Sequence, residues 1–105
     1  MSVKVSNKIP RSRVLIRRAA SQLVRKTLLK IETGAKLRAP VRTGFLRNSI
    51  GSEMEGDLAG AATVGAEYGA AVNFGTRHKE PDPFFDEAWE EGKQTFEAGM
   101  KEILK

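Results

Sequence analysis

Apolar residues recur at helical spacing through residues 11–38, and no proline interrupts them. At 100° per residue, Ile16, Ala20, Leu23, Thr27, Ile31 and Gly34 share one face, which predicts a long helix with that face inward. Arg11, Arg18, Arg25 and Lys36 fall on the opposite face. The helix should stop before Ala39-Pro40, because a residue preceding proline is pushed out of the α region. Ahead of it, residues 1–10 alternate Val3 and Val5 with polar side chains up to Pro10, the pattern of a short edge strand or extended arm.

The middle, residues 44–76, is glycine-rich and has no long helical period. Arg42-Thr43-Gly44 reads as a turn into it. Leu46, Asn48, Ile50, Ser52 and Met54 alternate with polar or small residues and predict a half-buried strand. Glu55-Gly56-Asp57 predicts a turn, and Gly60 to Ala66 the returning partner through Ala62 and Val64. Gly65 to Gly69 breaks that strand, Ala70 to Phe74 is too short to type by period, and residues 77–82 form a polar loop.

The last helix, 83–104, has the clearest pattern. Asp82 suits the N-cap and Pro83 the first helical position. Asp86, Glu87, Glu90 and Glu91 crowd its start and Lys101 and Lys105 its end, matching the helix dipole. Phe85, Trp89, Gly92, Phe96, Met100 and Ile103 form a continuous stripe, with Gly99 beside it. Each glycine costs about 1 kcal/mol in a helix, so their presence on an apolar face points to a close approach of another backbone, most simply that of the first helix. The elements make a single α+β domain spanning residues 1–105: a long N-terminal helix and a C-terminal helix packed on a small antiparallel β-sheet.

Four apolar residues of the first helix, Val14, Leu15, Leu28 and Leu29, lie off its core face, with Leu29 inside the basic stripe. Covering an exposed leucine is worth about 1.5–3 kcal/mol, so a second contact surface and self-association are expected there. Scattered exposed leucines are the plainer reading.

Length and composition narrow the function. A chain of 105 residues holds one modest core and no second domain. Without cysteine there is no disulfide scaffold, thiol catalysis or cysteine-held zinc. No apolar run reaches the ~20 residues of a membrane span and no signal-peptide core stands at the start, so a soluble intracellular chain with no membrane partner is expected. The charge is split: residues 1–50 carry thirteen Lys/Arg against one acid, and residues 51–105 carry five against twelve. Such a split points to nucleic acid, to an acidic protein surface, or to one copy's basic half on its neighbour's acidic half. Two solvated faces of opposite sign would give the same count.

Candidate chemistry is sparse. Gly65 and Gly69 are not followed by the Gly-Lys-Ser/Thr of a phosphate loop. Glu80, Asp82, Asp86 and Glu87 could be imagined around a metal, but helix capping and the dipole account for three of them. His78, the one histidine, stands between Arg77 and Lys79, and Ser49 and Ser52 have no base nearby in sequence. Neither an enzyme nor a cofactor is expected. Nucleic-acid stacking needs aromatics among the basic residues, and the first fifty residues hold only Phe45. Any DNA contact by the Arg11/Arg18/Arg25/Lys36 stripe would therefore be non-specific.

Three blocks carry a resemblance. Ala39-Pro40-Val41-Arg42-Thr43-Gly44-Phe45-Leu46-Arg47-Asn48-Ser49-Ile50 comes first. Val64-Gly65 with Tyr68-Gly69-Ala70-Ala71-Val72-Asn73-Phe74-Gly75-Thr76 follows, and then Pro83-Phe84-Phe85 with Ala88. In order and spacing they resemble the neck, tail-completion and minor tail proteins of long-tailed phages. Asn73 departs from that pattern, which commonly has Glu before Phe-Gly-Thr; a neutral hydrogen bond is expected where the acid would form an ion pair.

The resemblance implies a virion protein, assembled in the host cytoplasm, that forms a homo-oligomeric ring of six or twelve copies at the head–tail junction. Its partners would be copies of itself, head-closure or connector proteins, and tail-tube or tail-terminator proteins, with non-specific contact to packaged DNA. A tail terminator capping the tube is the close alternative, and a small non-specific DNA-binding protein is the alternative from another class. Rings need heterologous contacts. The candidate interface is Val14, Leu15, Leu28 and Leu29, together with the loop residues Gly75, Thr76, Arg77 and His78, because loops on a rigid scaffold usually carry binding.

Overall fold

A computed structural model describes residues 1–6, 9, 13–39, 45–65, 69–75 and 80–104. In chain order the elements are β1 (Ser2–Ser6), α1 (Val14–Arg38), α2 (Phe45–Asn48), β2 (Ile50–Met54), β3 (Ala59–Val64), α3 (Gly69–Phe74) and α4 (Phe84–Ile103). The class is α+β, with a long N-terminal helix, a C-terminal helix and a three-stranded antiparallel sheet ordered β1-β3-β2. The opening alternation forms an edge strand, with Val5 opposite Gly60, while β2 and β3 make the expected hairpin, with Met54 opposite Gly60.

α1 ends where Pro40 requires, with Ala39 extended at φ −63°, ψ 138°. The strand predicted from Leu46 begins only at Ile50. Phe45–Asn48 instead forms one helical turn, closed by the Ser49 N–H at 3.1 Å and the Ser49 hydroxyl at 2.7 Å, both donating to the Leu46 carbonyl. Local bonding by a serine competes with strand pairing, and two alternating residues are too few to resist it. The untyped stretch after Gly69 is the short helix α3, which ends at Gly75 with φ 80°, a left-handed conformation open to glycine.

Leu28 corrects the helical-wheel reading. It was expected outside the core face, yet it is only 2 % exposed. Its side chain lies on β3 so closely that a Cβ at Gly60 would stand 2.2 Å from Leu28 Cδ1. The physical reason is that α1 has two partners within its own chain. One side of the helix meets α4 through Leu23, Thr27, Ile31 and Gly34, and the adjoining side meets the sheet through Leu28 and Glu32. The buried arc is therefore Ala20, Val24, Thr27, Leu28, Ile31 and Ala35, rotated toward the sheet from the arc that a single partner would select.

α4 runs antiparallel along α1. A Cβ at Gly92 would lie 2.4 Å from Ile31 Cγ1, and one at Gly99 2.6 Å from Leu23 Cδ1. The first helix does make the close approach, but with its side chains and not with its backbone as expected. Arg38 at the end of α1 clasps Glu87 at 3.3 Å and also Glu91, so part of the sequence's charge split is neutralised inside the chain. Phe84 and Phe85, both fully buried, anchor the start of α4 to the common core with Leu46, Val64 and Ala88. The molecule extends 53 × 21 × 19 Å, and its radius of gyration of 15.2 Å exceeds the ~13 Å of an average domain this size. An elongated chain leaves more surface for others to cover.

The start of α4 also departs from expectation. Its first helical residue is Phe84, Pro83 is the cap position, and no side chain there closes the turn. The capping oxygen comes instead from α3: Asn73 Oδ1 accepts the Phe85 and Asp86 N–H groups, each at 3.1 Å. Asn73 is 1 % exposed, so the neutral side chain occupies a buried helix N-terminus and ties α3 to α4.

Candidate functional site

The part of α1 that its own chain leaves uncovered is one continuous face. Opposite the buried arc stand Arg18, Gln22, Arg25, Lys26, Leu29, Thr33 and Leu37. Leu29 is 54 % exposed and Leu37 77 % exposed. Leu29 stands between two shallow grooves. One, toward α4, is lined by Lys30, Thr33, Gly34, Leu37, Arg38 and Glu91. The other, toward the free edge of β2, is lined by Arg25, Leu28, Ser52, Glu53 and Met54.

Not every residue of the expected interface reaches this face. Val14 and Leu15 are exposed at the first turn of α1, whereas Leu28 is in the core. Gly75 is half-buried behind α3, and Thr76, Arg77 and His78 lie outside the described residues. Of the basic stripe, Arg18 and Arg25 are exposed and make no ion pair among the described residues. Lys36 faces Glu32 at 3.6 Å one turn back, and Arg11 lies outside the described residues. Arg17, which the wheel reading did not single out, donates to the Ile9 carbonyl and lies 4.0 Å from Asp57, linking α1 to the hairpin turn. Exposed pairs of this kind are worth little individually.

Leu37 and Leu104 were missed by the sequence reading. Leu104 is 57 % exposed just beyond the last turn of α4. Its signal was present: it follows Glu90 and Glu97 at steps of seven and stands four residues past Met100, at the edge of the apolar stripe. Among the described residues no group of three His, Cys, Asp or Glu could hold a metal ion. No described helix is long and apolar enough to cross a membrane.

What the molecule presents is thus a surface with unpaired arginines and exposed leucines. Residues 6–75 match the family described as "Bacteriophage HK97-gp10, putative tail-component". The chain belongs to this family. The matched span runs from the end of β1 through α1, the hairpin and α3, and so contains the whole outward face of α1, the first sequence block and the second up to Gly75. No curated protein and no solved structure matches the chain significantly. An HK97-gp10-like chain is a phage structural protein of the tail region, located in the virion, and its partners are other virion proteins.

Proposed function

We propose that this HK97-gp10-like protein is a neck or tail-completion component: copies form a ring that joins the DNA-filled head to the tail, and the chain catalyses no reaction. Six copies is the ring size we favour over twelve. The observation that carries this reading is the outward face of α1, where Leu29 and Leu37 stand in water beyond the unpaired Arg18 and Arg25 while the opposite arc of the helix is buried. An apolar centre rimmed by charge is the makeup of a protein interface. Duplex DNA would favour the arginines but gain nothing from the leucines. The ring would form in the host cytoplasm and remain in the particle, with head-closure or connector proteins on one side and tail-tube or terminator proteins on the other.

Deleting the gene from the phage that encodes it tests the placement. Infected cells should accumulate filled heads and separate tails of normal length, and added purified protein should join them. Tails of uncontrolled length would assign the terminator role instead. Infectious particles made at the normal yield would overturn the proposal.

A further inference from the structure

The acidic counterpart of the α1 face lies on the same molecule, on a surface it cannot reach. α1 carries seven Lys/Arg against one acid, and α4 six acids against two lysines. Some of this charge is used internally by Arg38 with Glu87 and Glu91. The remainder is segregated on α1, whereas on α4 the exposed Lys93 and Lys101 stand beside Glu90 and Glu97. α4 turns Ala88, Gly92 and Gly99 toward α1. Glu90 and Glu97, two residues before and five after Gly92, lie about 140–160° round the helix from it, on the outward side. Both are exposed and make no ion pair among the described residues. Arg18 and Arg25 point outward from α1, away from the seam that Thr27 and Ile31 make with α4.

The spacings agree as well as the signs. Arg18 and Arg25 are seven residues apart, as are Glu90 and Glu97, so each pair spans about 10.5 Å along its helix. Each face adds an exposed leucine: Leu29 four residues past Arg25, and Leu104 seven past Glu97. We infer that the outward face of α1, built on Arg18, Arg25 and Leu29, docks on the outward face of α4, built on Glu90, Glu97 and Leu104, of a second copy of this chain. The contact is heterologous, so any open array keeps one free face of each kind at its ends and either closes as a ring or grows as a helix. The charges orient the approach and weaken with salt, while the leucines are desolvated in the contact. This inference rests on the ring proposed above and names the surfaces that make it.

Reversal of charge tests it on the full chain. Arg18→Glu with Arg25→Glu should fold, by circular dichroism, and lose at least about tenfold in self-association by sedimentation and in head–tail joining in the deletion phage. Glu90→Arg with Glu97→Arg should do the same. The chain with all four substitutions carries complementary faces again and should recover most of both activities. Two folded pairs that each fail while the fourfold variant stays equally inactive would overturn the assignment, as would an acidic-face pair that behaves as the native protein. In the latter case, loss of duplex DNA retention by the arginine pair would give that face to DNA. Copy number in native particles separates the two levels: many copies with no rescue leaves the ring and removes these surfaces, whereas a single copy removes both.

Discussion

Leu28→Asp should abolish folding, while Leu29→Asp should leave the fold intact and abolish assembly. The two leucines are neighbours in sequence and opposites in environment. Leu28 is 2 % exposed and pressed on Gly60 of β3, so aspartate there loses about 1.5–3 kcal/mol of burial and strands an unpaired carboxylate in the core. Removing one partner from a buried charge pair costs about 3–5 kcal/mol, and a charge with no partner at all is no milder. Against a total stability of about 5–15 kcal/mol, the sum takes most or all of it. Leu29 is 54 % exposed, and a polar side chain there should change folding stability by no more than about 0.5 kcal/mol. It would, however, set an acid between the acids of the opposed α4. Circular dichroism and sedimentation on both variants read the contrast directly. A folded Leu28→Asp chain would refute the packing of α1 on the sheet, and a fully assembling Leu29→Asp chain would remove that residue from the interface.

Gly92→Val should be the most damaging change on α4. The added Cβ alone would stand 2.4 Å from Ile31 Cγ1 and 2.9 Å from Cδ1, and Ile31 is fully buried. Overpacking of this kind typically costs about 1–3 kcal/mol, and the two further methyls put valine at or above the upper end, with a fall in melting temperature of more than about 10 °C. Gly92→Ala should be milder, because alanine regains about 1 kcal/mol of helix propensity. Gly56 has nothing within 4 Å of a Cβ, so Gly56→Ala is the matching control and should shift stability by less than about 0.5 kcal/mol. Combining Gly92→Val with Ile31→Ala should destabilise by less than the two changes added, since each relieves the other. Simple additivity in thermal melts would show that the helices are not in contact there.

Much of this architecture was legible in the sequence. The α1 period, the Ala39-Pro40 stop, the turn at Glu55-Gly56-Asp57 and the stripe of α4 each report a local preference that tertiary packing respects. What failed did so where two elements meet. A helical wheel drawn for a single buried face cannot place Leu28, because α1 is covered from two directions. The cap of α4 was sought in the residues preceding it, whereas Asn73 reaches it from another helix, ten residues ahead of Pro83. Nothing local marks such a cap. The same position is where the chain departs from the acid of the resembling proteins, and the structure shows it capping α4 through two backbone N–H groups. Of the candidate surface, Arg18, Arg25 and Leu29 were readable from spacing alone, since outward residues have only water to satisfy and keep the intrinsic helix period. Leu37 and Leu104 were passed over because each lies at the end of its helix, where the wheel has fewest neighbours to compare.

Imaging the purified particle to side-chain resolution tests the central claim most directly. The account predicts a closed ring of this chain at the head–tail junction, in which Leu29 of every copy is covered and Arg18 and Arg25 face the acids of the adjoining α4. A particle that lacks the chain, or holds a single copy with the outward face of α1 bare to solvent, would contradict it.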